Sequence, residues 1–298
     1  MIAGGWRGEG AILFGGSGFT GSAVLRMFPE MISVGRTAPV VSNPHIHVPA
    51  LDQLSALEAV SFDRVILCTG TSRHVELMGK TGDEAALYHV RPTLDVLQSL
   101  RGRTIRSVVR LSTVLLYDDA RGTLPVNEQS PIDPSRNRYL QSQHDGECAA
   151  ETMQPVAPVA TLRLCNLYGP SRSERTDLIH QTVQQLKRSG RASIRNRAPE
   201  RDFVFVDDAA RAIAALSIAE QRGIFVLGSG VATSCGRIAD ILSAESGCPV
   251  TSLEEPVGGI ASIRVDSAKL RAATGWTPQF TIEEGLRKTW KDWDASRY

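Results

Sequence analysis

Short apolar runs alternate along this chain with longer stretches in which apolar residues recur every three to four positions. The runs Ala11–Phe14, Met31–Val34, Val65–Cys68, Val108–Leu111, Ala160–Cys165 and Ile224–Leu227 are rich in Val, Ile and Leu. Runs with few polar positions are what parallel strands buried on both faces require. Between them, Phe19–Phe28, Asp83–Leu100, Arg138–Met153, Asp177–Ser189 and Asp207–Ala219 carry helical spacing. Strand and helix in strict turn predict an α/β fold, a doubly wound parallel sheet covered by helices on both faces. The alternation becomes irregular after Asn166, with a basic loop Arg191–Arg201 and a Gly/Pro-containing stretch Gly247–Gly259. The expected division is therefore a doubly wound sheet domain over 1–165, which also receives 203–230, and a smaller C-terminal lobe over 166–202 and 231–298. That lobe closes on an amphipathic helix, Ile282–Trp293.

Composition narrows the partners. Lys and Arg number 33 against 32 Asp and Glu, a formal charge of +1, so no global field draws the chain to nucleic acid or an anionic membrane, and any anion site is local. Five scattered cysteines without CxxC spacing argue against a disulfide framework or zinc ribbon and fit reduced thiols in a cytoplasmic protein. No stretch approaches the ~18 apolar residues of a membrane span. His45 and His47 form an HxH pair without a nearby third ligand, and Asp118-Asp119 and Asp207-Asp208 read as caps or solvated charges, Asp207 as a helix cap. No metal is expected.

The chemistry begins where the first strand ends. Gly15-Gly16-Ser17-Gly18-Phe19-Thr20-Gly21 sets glycines at GxxGxxG spacing between strand and helix. Glycine permits positive φ, lets backbone amides approach a pyrophosphate, and leaves the helix N-terminus to face it. This marks a Rossmann dinucleotide site. At the end of the second strand, where an acid would bind a ribose 2′-hydroxyl, stands Arg36. A guanidinium suits a 2′-phosphate, which favours NADP(H) over NAD(H). Asp52, after the next apolar segment, is a candidate adenine contact.

With these features the sequence resembles the extended short-chain dehydrogenase/reductases, the NAD-dependent epimerase/dehydratase family, in its nucleotide-sugar-modifying branch. Val65-Ile66-Leu67-Cys68-Thr69-Gly70 is similar to the family's fourth strand, which ends over the cofactor. Val109-Arg110-Leu111-Ser112-Thr113 is similar to the fifth, whose Ser or Thr holds the substrate carbonyl or hydroxyl. Arg163-Leu164-Cys165-Asn166-Leu167-Tyr168-Gly169-Pro170 matches the segment whose Asn meets the nucleotide-sugar. Arg201-Asp202-Phe203 matches a hallmark whose Arg faces the diphosphate, and Arg264-Val265-Asp266 a closing pattern that touches the nucleotide. The resemblance implies a homodimer through the helices Asp83–Leu100 and Arg138–Met153.

The family's Tyr-x-x-x-Lys reads here Tyr139-Leu140-Gln141-Ser142-Gln143. In the family the Tyr moves the proton while the Lys binds the nicotinamide ribose and lowers the Tyr pKa. Gln143 can hold a ribose hydroxyl but brings no charge. Near neutrality only on the order of one in a thousand unperturbed tyrosines is ionised, so Tyr139 rests as an acid, suited to protonating a ketone oxygen. His144 and Arg163 are the nearby cations that sequence offers as replacements. Thr113 is followed by Val114-Leu115, not by the Asp-Glu pair of the family's dehydratases. The resulting expectation is NADPH-dependent reduction of a nucleotide-linked 4-keto sugar. A C4 epimerase, a reductase of a non-sugar ketone and a non-catalytic NADP-binding sensor are the alternatives.

Overall fold

The computed structural model describes residues 5–71, 74–77, 79–117, 124–152, 157–171, 175–256 and 261–293. Seven strands, β1 (Ala11–Phe14), β2 (Ile32–Gly35), β3 (His45–His47), β4 (Arg64–Leu67), β5 (Ser107–Thr113), β6 (Val159–Leu164) and β10 (Gly223–Leu227), form one sheet in the order β10-β6-β5-β4-β1-β2-β3. Every pairing in it is parallel. The expected doubly wound sheet is therefore present, with the strand order reversing at β1 and β4. Ligands of such sheets bind at that reversal, beyond the carboxyl ends of the strands.

Apolar strands are sandwiched between helices. α1 (Phe19–Met27) and α5 (Val206–Ile218) cover one face, with Ala23, Val24, Ala209, Ala212 and Ile213 fully buried against it; α2 (Gly82–Ser99) and α3 (Arg138–Glu151) cover the other. Local sequence starts these helices where they start. Thr81 and Glu84 form a reciprocal capping box at α2, and the Asn137 side chain accepts the Leu140 N–H at α3.

Further along, β7 (Asn166–Tyr168), β9 (Glu200–Phe205) and β11 (Ala232–Ser234) form a small mixed sheet, and β8 (Ala192–Ile194) pairs with β12 (Val250–Ser252). α4 (Leu178–Ser189), α6 (Cys235–Ser246) and α8 (Ile282–Lys291) pack on these strands around a separate apolar cluster that includes Tyr168, Val183, Phe205, Ile238 and Leu286. α7 (Ala268–Thr274) sits beside α5 and β10. No helix of the described residues is long and apolar enough to cross a membrane.

Two expectations need correction. Asp207 does not cap α5: the N-cap is Phe205, and Asp207 lies in the first turn, where it suits the helix dipole and pairs with Arg26 of α1. Asp208 is not solvated but wholly buried, accepting the N–H groups of Gln279 (2.9 Å) and Phe280 (3.0 Å) and pairing with Arg211. It ties the chain entering α8 to α5. Asp118-Asp119 lie outside the described residues. His45 and His47 are on the edge strand β3, and no group of three metal-ligating side chains occurs among the described residues.

Candidate active site

The first turn of α1 is built for close approach. A Cβ on Gly21 would collide with the carbonyl of Gly15, and one on Gly15, which has φ +87°, with the carbonyl of Cys68. These glycines let α1 pack directly on the β1 and β4 ends. Gly18 is the N-cap, no side chain caps it, and no acid stands in the first turn. The leading N–H groups of α1 thus face outward without a negative partner. This cradle fits the pyrophosphate of a dinucleotide, and a side chain at either glycine would strike the backbone that shapes it.

Outside the turn lies a cavity of about 360 Å³. Gly18, Phe19, Thr20, Cys68, Thr69, Gly70, Thr113, Tyr139, Gln143 and Asn166 line it, bringing together residues from five separated segments of the chain. Ser17 is exposed on the turn itself. Burial pushes the Cys68 thiol up to about 12, which keeps it protonated. A second cavity of about 280 Å³ adjoins it, sharing Asn166, Leu178 and Phe203, and there Arg201 is found with Gln181, Gln185, Arg195 and Asn196. Arg36, Asp52, Arg264 and Asp266 line neither cavity. Arg36 is exposed just past β2, its carbonyl accepting from His47 Nδ1 (3.1 Å). Asp52 borders a separate depression against Arg91 and Asp95 of α2. Asp266 caps Ala268 N and pairs with Arg271 at 3.0 Å.

Tyr139 and Gln143 are one helical turn apart on α3, and the Gln143 Nε2 donates to the Tyr139 hydroxyl at 3.2 Å. Burial raises the tyrosine pKa, opposed by hydrogen bonds with Gln143 and Thr113 and by the charge of Arg110. It rests as the neutral acid. Beside it, His89 of α2 meets the Tyr139 ring edge-on, with Nδ1 3.0 Å from Ser142 Oγ and Nε2 3.1 Å from the Thr71 carbonyl. Burial, aided by the Arg110 charge, outweighs the raising effect of the hydrogen bond to the Thr71 carbonyl and lowers His89 to about 4, so it is neutral as well.

Of the two replacement cations considered from sequence, neither reaches Tyr139. Arg163 is buried and committed to Glu147 through Nε (3.0 Å) and Nη2 (2.7 Å), while His144 lies against Cys148 on the outer side of α3. The cation that sequence reasoning missed is Arg110 of β5, 3% exposed beneath α3. Its signal was a single charge inside the run Val108–Leu111. Arg175 was also missed: it stacks on Phe19 with 3.8 Å to the ring centroid and pairs with Asp177 at 2.6 Å.

A model of the NAD dependent epimerase/dehydratase family matches residues 11–228, and the chain belongs to that family. It is 33% identical over 152 residues to a dTDP-L-rhamnose 4-epimerase of Burkholderia thailandensis, a match spanning 47% of this chain and 42% of that relative's length. With GDP-6-deoxy-D-mannose reductase of Pseudomonas aeruginosa it shares 25% identity over 218 residues, 68% of this chain and 71% of the relative. The structure of RMD from Pseudomonas aeruginosa complexed with NADPH superposes with a TM-score of 0.82 at 22% identity, covering 96% of this chain and 99% of that one. A UDP-N-acetylglucosamine 4-epimerase from Methanobrevibacter ruminantium, in complex with UDP-N-acetylmuramic acid, gives 0.85 at 18%, covering 96% and 98%. A nicotinamide dinucleotide is the family's cofactor, and the glycine cradle fits it.

Proposed function

We propose that this chain reduces the 4-keto group of a nucleotide-linked deoxysugar, with NADPH as reductant and Tyr139 as proton donor. The observation that carries the reading is the state of Tyr139: buried, uncharged, and hydrogen-bonded to an amide where the family has an ammonium. Such a tyrosine holds a proton ready for a developing alkoxide, whereas removing a proton from an alcohol would need the scarce phenolate.

Gly15, Ser17, Gly18, Phe19 and Thr20 would hold the pyrophosphate, Cys68, Thr69 and Gly70 the dinucleotide beyond it, and Arg36 the 2′-phosphate; Asp52 faces a separate depression. Bound there, the cofactor would supply hydride to the carbonyl carbon. Thr113 and Tyr139 hold the carbonyl oxygen, Tyr139 gives it a proton, and solvent returns one to the phenolate. The Gln143 amide hydrogen-bonds the tyrosine oxygen in either protonation state. Asn166 and Arg201 receive the nucleotide diphosphate in the adjoining cavity. Arg264 and Asp266 line neither cavity, and Asp266 is engaged with Arg271. The relatives named for a 6-deoxy-mannose reductase and for NADPH binding support this reading, as does the exposed Arg36. Leu87 and Leu94, exposed on α2 beside α3, support a homodimer through those helices.

The test is NADPH consumption, followed by absorbance, with enzymatically generated UDP-, dTDP- and GDP-linked 4-keto-6-deoxy sugars and NADH in parallel. Rapid loss of NADPH with one of them is expected. Tight cofactor binding without turnover on any would refute the substrate class and favour the non-catalytic sensor; interconversion of 4-hydroxy epimers without net NADPH loss would favour the epimerase.

A further inference from the structure

We propose that Arg110 is a positioning residue that supplies, through the side-chain amide of Gln143, the positive charge that no lysine provides at Tyr139. The inference rests on the reading of Tyr139 as the proton donor. Arg110 lies mid-strand in β5, flanked by the buried Val108 and Val109, with its guanidinium tucked under α3. Nε donates to Thr93 Oγ1 (3.4 Å), and Nη2 to the Gln143 carbonyl (3.3 Å) and to Gln143 Oε1 (3.5 Å). That contact fixes the amide's orientation. The flipped amide would set an NH2 group against a guanidinium that only donates, so Oε1 faces Arg110 and Nε2 faces the tyrosine oxygen and His89 Nε2, 3.2 Å from each. A cation at the oxygen end polarises the amide, and the polarised N–H is a stronger donor to a phenolate.

Two further observations support a charge maintained there on purpose. Gly146 interrupts α3 one turn beyond Gln143, and a Cβ at that position would run into Arg110 Nη2 and lie 2.9 Å from the His89 carbonyl. Glycine is disfavoured in helix interiors, so its presence where the guanidinium passes couples the two residues. The local charges do not cancel either. Glu147 is taken up by both Arg163 nitrogens and by the Ser112 hydroxyl (2.5 Å), leaving the buried set of Arg110, Arg163 and Glu147 one positive charge in excess. The groups facing Tyr139 are thus neutral His89 from α2, Thr113 and Arg110 from β5, Gln143 on its own helix, and the more distant Glu147–Arg163 pair. Burial lowers Arg110 to about 10, against the opposing pull of Glu147, so it stays cationic at neutral pH.

The test places 3-fluorotyrosine at position 139 alone, whose more acidic phenol titrates where folded protein survives, and follows its ionisation by fluorine NMR without substrate. Arg110→Met is expected to raise the midpoint by about 1–2 pH units, from a unit charge acting over about 7 Å at an effective dielectric near 20. Arg110→Lys should retain most of the wild-type value. Gln143→Met, which leaves Arg110 in place and cuts the relay, should raise the midpoint even if Arg110→Met does not fold. Gln143→Lys alone sets two cations together, whereas Arg110→Met/Gln143→Lys should bring the midpoint back to within about half a unit of wild type. An unmoved midpoint in folded Arg110→Met, an unmoved midpoint in Gln143→Met, or no recovery in the double variant overturns the proposal. Because the titration uses no sugar, failure of every substrate to turn over alongside a shifted midpoint would refute the reductase assignment and leave the relay standing.

Discussion

Glu147→Leu should strongly destabilise this protein. Glu147 is 3% exposed and is the carboxylate that the buried Arg163 binds through two nitrogens. Burial draws the Arg163 guanidinium down and Glu147 more than offsets it; without Glu147 that support is gone, but a guanidinium is too strong a base to lose its proton near neutral pH, so a buried charge is left without its partner. An uncompensated buried charge costs about 3–5 kcal/mol. At about 2 cal/mol/K of unfolding entropy per residue, a chain of 298 residues loses about 5–8 °C of Tm for that amount. Differential scanning calorimetry at neutral pH measures it directly. The double variant Glu147→Leu/Arg163→Met removes both charges and should recover most of the loss, because a buried pair gains little over apolar residues of similar volume. A Glu147→Leu protein melting within about 2 °C of wild type, or a double variant no more stable than the single, would refute the reasoning.

Other outcomes follow from the same geometry. The folded state holds His89 neutral to about pH 4 while the unfolded chain takes up a proton near 6.5, so stability should fall as pH drops through that window, by about 3 kcal/mol; His89→Asn should flatten urea midpoints there, and an unchanged slope would count against the burial argument. Gly21→Ala, whose methyl would strike the Gly15 carbonyl, should weaken NADPH binding at least about tenfold in a fluorescence titration, and wild-type affinity would show that the turn does not receive the cofactor. Tyr139→Phe should lower kcat about a hundredfold to ten-thousandfold with NADPH affinity retained. In the parent enzyme, kcat/KM for reduction should hold level through neutral pH and decline only above the ordinary tyrosine pKa of about 10, since burial raises Tyr139; a decline near pH 8 would mean the acid is another group.

The doubly wound sheet was legible because its strands are short apolar runs set between helices of clear period, and the glycine turn and the Tyr139–Gln143 pair were legible because their spacing is local. β3 escaped because His45–His47 is a three-residue edge strand with polar ends, and such strands carry no apolar run. α6 had its signals, Ser234 as N-cap, Ile238, Ile241 and Leu242 on one face, and Gly247 in the left-handed region at its end, yet it falls in a stretch whose strands are too short to frame it. Asp208 read as a surface acid because its partners, Gln279 and Phe280, lie some seventy residues away. Arg110 was hidden for the same reason. A strand's apolar run does not state which of its positions faces a helix glycine, and Gly146 and Gln143 come from another element altogether.

The two cavities explain why that long-range pairing matters for chemistry. The cofactor cradle belongs to the large sheet, whereas Arg201, Gln181 and Gln185 belong to the satellite strands and α4, and among the described residues the wall shared between them is Asn166, Leu178 and Phe203. A ligand lying across both must be held in register by contacts that span the cleft. Arg175 makes one: stacked on Phe19 of α1, it pairs with Asp177, which also accepts the His180 N–H at the start of α4. The position of the glycine turn is therefore tied to the helix that lines the second cavity through one carboxylate serving two partners. Tyr139, by contrast, is fixed from behind, by α2, β5 and the amide of Gln143. On the proposed reading, the acid is anchored to the large sheet and the ligand's far end to the smaller strands, so variation in α4 and β8 would change which ligand is held without disturbing Tyr139.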